Sequence, residues 1–190
     1  MRWVIIVVGG IVGVVLMVVI IGATLPKAHV ASHAIRLKQK PDTVFRTIAS
    51  VTTAASWRSD IQRVEMLPPH EGRMAWREHS SNGAVAYEAE LVRPPVNGLP
   101  GRFVTRITDR NLPYGGSWII DVAPDGQQTL VIATERGEVY NPLFRFVSRY
   151  IMGHTASIDA YLKALAKQFG QEVELEEAIP LEMPTAGSKG

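Results

Sequence analysis

Residues 141–170 read NPLFRFVSRYIMGHTASIDAYLKALAKQFG. Pro142 suits a first helical turn. Leu143, Val147, Tyr150, Ile151, His154, Ile158, Tyr161, Leu162, Leu165 and Phe169 then recur at the spacing of one helix face, and Gly170 closes the run. The pattern predicts one long amphipathic helix. Such a helix buries its whole stripe only against a broad partner, and a curved sheet is the partner that the preceding sequence supplies.

Upstream, six strand-like runs follow one another: Gln62–Leu67, Arg73–His79, Ala84–Val92, Arg102–Asp109, Ser117–Val122 and Thr129–Tyr140. Turn signals separate them: Pro68-Pro69, Asn82-Gly83, Pro94-Pro95 with Asn97-Gly98, Pro113 with Gly115-Gly116, and Asp125-Gly126. Asn-Gly and Asp-Gly favour tight hairpins, so neighbouring strands are expected to be antiparallel. Val30 to Lys38 reads as a first strand; Pro41-Asp42 opens a helix carrying Val44, Phe45, Ile48 and Ala49, and a short helical stretch, Thr53 to Ser59, carries Trp57. The fold class is α+β.

The other end of the chain is apolar. From Trp3 to Leu25 no charged residue occurs, and 23 residues make a helix of ~35 Å, enough to cross a ~30 Å hydrocarbon core with tilt. The run is longer than a signal-peptide apolar region, and Leu25-Pro26-Lys27 offers no good cleavage site. Residues 1–26 therefore read as an uncleaved single-pass anchor. Gly9 and Gly13 form a GxxxG pair, readable as a helix–helix contact or as glycine merely common in membrane helices. Lys27, Arg36, Lys38 and Lys40 follow the span while only Arg2 and the α-amino group precede it, which favours a cytoplasmic-facing domain. Residues 27–170 form that domain, and 171–190, rich in glutamate, read as a disordered acidic tail.

Composition narrows the chemistry. The chain has no cysteine, which excludes disulfide scaffolds, cysteine-ligated metal sites and thiol catalysis. A net charge of +2 gives no support to nucleic-acid binding. GxSxG, GxxxxGK[ST] and GxGxxG are all missing. His29 and His33 have HxxxH spacing, but on a strand that spacing does not gather ligands, so no metal site and no cofactor are expected.

The order strand, two short helices, six-strand meander and long helix resembles the START-like or Bet v 1-like (SRPBCC) superfamily. Within it, the polyketide cyclase/dehydrase and coenzyme Q-binding type of domain is the nearest in pattern. The carriers are Ile35-Arg36-Leu37 before Pro41-Asp42-Thr43-Val44-Phe45, the Trp57-x-x-Asp60-Ile61-x-x-Val64-Glu65 segment, and the Thr129–Ile132 strand leading to the last helix. The resemblance spans about residues 28–169. It implies a helix-grip fold, with a cavity between sheet and helix that commonly holds an apolar or lipid-like ligand.

Strand alternation gives candidates for the lining. Phe103, Thr105 and Ile107 share a face, as do Trp118, Ile120 and Val122, while Arg102 and Arg106 point the other way. Glu135 falls beside Val131 and Ala133, with Arg106 as its expected partner across neighbouring strands. His154 interrupts the apolar stripe beside Gly153, as a cavity acid/base or as a core histidine. Trp57, Trp76, Tyr87, Trp118 and Tyr161 could form an aromatic wall or ordinary core. Two function classes follow: membrane-tethered binding of a hydrophobic molecule, which the anchor favours, or a cyclase/dehydratase-like enzyme using His154 or Glu135. A non-catalytic membrane scaffold is a third.

Overall fold

In the computed structural model, which describes residues 2–153 and 155–181, the meander is one antiparallel sheet. After α1 (Arg2–Thr24) come β1 (Ala28–Leu37), α2 (Pro41–Ala49) and a 3-10 turn (Val51–Ser56). The sheet continues with β2 (Arg63–His70), β3 (Arg73–Ser80), β4 (Gly83–Arg93), β5 (Gly101–Ile107), β6 (Tyr114–Asp125) and β7 (Gln128–Val139). Then follow α3 (Pro142–Val147), a π-turn (Ser148–Met152), α4 (Ala156–Gln168) and β8 (Glu176–Glu177). The strand order is β2-β3-β4-β5-β6-β7-β1-β8, so the chain's first strand joins its last long one, as a meander folded back on itself requires.

The alternation read from the sequence sorts the faces. Ile35, Leu37, Val122 and Val131 lie inward and are fully buried beneath Ile158, Leu162 and Leu165 of α4. Val44, Phe45 and Ile48 of α2 close the other end of the same core. Truncating a leucine such as Leu162, at 0% exposure, costs about 2–5 kcal/mol at a site of this kind.

Three expectations need correction. The C-terminal region is two helices, not one. Gly153 takes φ +78°, a conformation closed to most L side chains, and the π-turn before it swings α3 away from the sheet onto α1. Leu143 and Tyr150 are consequently exposed, although both fall on the predicted stripe. Next, Pro68-Pro69 does not turn the chain. β2 is an edge strand, where a missing N–H costs little, and the turn comes at Glu71-Gly72 with φ 51° and 76°. Finally, the acidic segment is structured as far as it is described: Glu176 and Glu177 pair with Ala34 and His33, and the Leu181 backbone sits between Arg102 and Asp121. The rest of the expected disordered tail, 182–190, lies outside the described residues.

Candidate ligand site

The inner face of the meander carries an aromatic wall made of two ring clusters. Trp76 stacks on its register partner Tyr87 at 5.7 Å and on Phe103 of β5 at 6.4 Å. Trp118 and Trp57 both meet Tyr161 of α4 edge-on, each at 5.4 Å between ring centroids. The sequence-predicted residues Trp57, Trp76, Tyr87, Trp118 and Tyr161 are thus brought together. Their rings touch across the space where a cavity was expected. Toward the end of the sheet where α1 enters, Val85, Tyr87, Thr105, Ile107 and Trp118 remain only half-buried.

A charged pair is set into this wall. Arg58 donates to Glu78 at 3.1 Å and to Asp60 at 2.7 Å, and its guanidinium lies 5.5 Å from the Tyr161 ring centroid. Trp76 Nε1 donates to the same Glu78 carboxylate at 3.2 Å. Burial by itself would lower the Arg58 pKa; Glu78 and Asp60 override it and hold the guanidinium above its ordinary value. Burial pushes the phenols of Tyr87 and Tyr161 well above theirs, with Glu78 adding to the effect. Trp57 Nε1 is buried and finds no acceptor among the described residues. An unpaired buried donor costs about 1–3 kcal/mol, and a ligand oxygen would recover it.

A second polar group lies across the wall, beside Trp118, whose register partner is Glu135. Ser157 Oγ donates to Glu135 at 2.6 Å, and His29 Nε2 stands 3.6 Å from the other carboxylate oxygen. His33 Nδ1 is 2.6 Å from Asp159 of α4. Gly137 permits this packing: a Cβ there would fall 2.3 Å from the His29 ring. The two histidines of the HxxxH spacing therefore engage separate carboxylates. No group of metal-ligating side chains occurs among the described residues.

The predicted Arg106–Glu135 pair does not form. Arg106 lies on the outer face, bonded to Glu90, whereas Glu135 lies on the inner face. Alternation had put them on opposite faces, and pairing across strands needs the same face. His154 lies outside the described residues. Two further concavities, about 420 and 530 Å³, flank the C-terminal segment on the outer surface, the larger lined by Leu130, Ile132 and Leu181. Arg58, Glu78 and Arg145 were missed by sequence reasoning. Glu78 was in principle legible, since it shares strand parity with Trp76.

Sheet, inward wall and gripping C-terminal helix define the helix-grip architecture. No family model matches the chain, and no curated protein sequence matches it either. Solved structures do. A START superfamily protein from Mycobacterium smegmatis matches with a TM-score of 0.54 at 12% identity, over 74% of this chain and 96% of that one. Norcoclaurine synthase from Thalictrum flavum matches with a TM-score of 0.55 at 12% identity, over 80% and 92%. A hypothetical protein from Helicobacter pylori reaches 0.61 at 9% identity, over 74% and 87%. At these identities the likeness establishes the fold, the START/Bet v 1-like helix grip expected from the order of elements.

Proposed function

We propose that the chain binds a hydrophobic or lipid-like small molecule on the inner sheet face, in a domain (27–170) tethered to a membrane by residues 1–26. The observation that carries this reading is the half-open aromatic wall with an unpartnered Trp57 N–H beside it. Aromatic area supplies affinity, and one or two fixed polar groups orient the ligand. α1 supports the tether: every side chain from Ile6 to Met17 is exposed, and apolar surface on that scale is stable only in lipid or against a partner. The excess of Lys and Arg after the span supports a cytoplasmic-facing domain. Gly9 and Gly13 have open space around them, which suits helix–helix association.

The test is titration with an apolar fluorescent probe, using the full chain in lipid nanodiscs. Saturable one-site binding is expected, displaced by lipid-like competitors. Trp57→Phe keeps an aromatic ring, a smaller one, and removes the donor. It should weaken competitors carrying an acceptor oxygen by about 2- to 12-fold more than pure hydrocarbons, the worth of a net hydrogen bond of ~0.5–1.5 kcal/mol. Absence of saturable binding would refute the reading.

A cyclase/dehydratase-like enzyme is the second reading. It is favoured by His33–Asp159 and Glu135–Ser157, acid/base groups facing α4 from one side of the wall. Turnover abolished by His33→Gln or Glu135→Gln would select it.

A further inference from the structure

We propose that α3 and its π-turn form a docking element lying in the headgroup boundary of the bilayer beside α1, so that the open end of the aromatic wall faces the membrane. This rests on the reading of α1 as a span. α3 runs along the last turns of α1: Val18, Val19 and Ile21 are half-buried and Gly22 is buried, in contrast to the exposed residues before them. The contact is close enough to require glycine, because a Cβ on Gly22 would stand 1.9 Å from the Pro142 carbonyl oxygen. Val18 precedes the end of α1 by about 9 Å at ~1.5 Å per residue. That puts α3 at the depth where amphipathic helices lie in membranes, about 5–10 Å below the surface.

The chemistry of α3 fits that depth. Arg145, its only charge, is 8% exposed and donates to Gly22 and Leu25 at the C-terminal end of α1 and to Val139 and Tyr140. A guanidinium spent on helix-end carbonyls adds little cost in an apolar layer. Outward from α3 and the π-turn stand Leu143, Phe144 and Tyr150, 42%, 49% and 60% exposed, with the exposed Arg149 beside Tyr150 long enough to reach lipid phosphates.

The aromatic residues supply an independent sign. Among the described residues, the exposed aromatic side chains are Trp3, Tyr114, Tyr140, Phe144 and Tyr150. Trp3 opens α1, and the other four surround its exit. Tyr114 pairs with Val139, whose N–H bonds Lys27 just after the span. Aromatic girdles at both ends of an apolar helix mark membrane interfaces. A second copy of the chain is the competing occupant. The bilayer is favoured because the exposed face of α3 continues the exposed face of α1, which lipid must cover in any case.

The test uses the full chain, which has no cysteine of its own. Single variants Val12→Cys, Phe144→Cys, Tyr150→Cys and Glu71→Cys carry an environment-sensitive dye in phosphatidylcholine/phosphatidylglycerol vesicles. Glu71 lies in the turn at the far end of the sheet. Lipids spin-labelled at shallow acyl positions should quench the dye at 144 and at 150 most strongly. The dye at 12 should respond to deep labels, and the dye at 71 only to aqueous iodide. Iodide quenching at 144 should be several-fold below that at 71. If 12 reports lipid while 144 and 150 behave like 71, the docking element is refuted and the span survives. If 12 reports water, both fall. Shielding at 144 that tracks protein concentration and ignores lipid labels would assign the face to a second copy and overturn the proposal.

Discussion

Replacing Arg145 by methionine should loosen α3 without unfolding the sheet. Methionine keeps most of the apolar stem and removes the guanidinium with its four closest donations, at 3.0 Å to Val139, 2.9 Å to Tyr140, 3.3 Å to Gly22 and 3.2 Å to Leu25. The two bonds to the β7–α3 connection are worth about 1 kcal/mol each. A partly buried cation on helix C-terminal carbonyls adds up to ~2 kcal/mol. Relief of arginine desolvation returns roughly 1–2 kcal/mol, leaving a net loss of about 2–3 kcal/mol. That is a 30- to 150-fold rise, roughly, in the opening equilibrium of the segment. Hydrogen exchange read by mass spectrometry, on the full chain in nanodiscs, measures such local openings directly. Amides of residues 144–150 should lose that factor in protection while β3 to β6 keep theirs. Unchanged protection in α3, or equal loss across the sheet, would refute the role assigned to Arg145.

Other outcomes follow from the same interactions. Glu78→Ala leaves the half-buried Arg58 with Asp60 alone and removes the acceptor of Trp76 Nε1, and should cost about 2–4 kcal/mol in denaturant unfolding, whereas Arg106→Ala breaks only an exposed pair and should cost under ~1 kcal/mol. Tyr87 and Tyr161 have folded-state pKa values raised by burial above the ordinary value of 10.0. Their contribution to stability is therefore complete below about pH 10 and is lost as pH rises further, so tyrosinate absorbance from these two should appear together with alkaline unfolding. Deleting residues 1–26 should leave a soluble domain with its sheet circular dichroism intact but with exchange in α3 accelerated, because Arg145 loses its acceptors on Gly22 and Leu25.

Strand periodicity made the sheet and its inner face legible. Trp118, Ile120 and Val122 face inward as alternation predicts, although Ile119 and Asp121 between them are also buried, Asp121 beneath the Leu181 segment, and the Asn82-Gly83 and Asp125-Gly126 signals do mark hairpins. What failed was the inference from a helical stripe to one helix on one partner. Leu143, Tyr150 and Leu162 share the same period, but the first two face outward beside α1 and only the last packs on the sheet. Periodicity identifies an apolar face and is silent about what covers it. Gly153 was the available sign of a break, since a glycine inside a helical pattern is costly without a reason. Arg145, a lone charge among Leu143, Phe144, Phe146 and Val147, was the available sign of a buried cap. Trp57 and Arg58 reach the wall from the connection after a short 3-10 segment, where no period constrains direction.

The central claim is that the half-open wall holds an apolar molecule. It is tested most directly by native mass spectrometry of the full chain released from nanodiscs prepared with host membrane lipid. One bound small molecule per chain is expected, surviving collisional removal of loose lipid, and its occupancy should fall in Trp57→Phe if it carries an acceptor oxygen. A chain that emerges bare under conditions retaining annular lipid, and that takes up no added apolar ligand, would contradict the account.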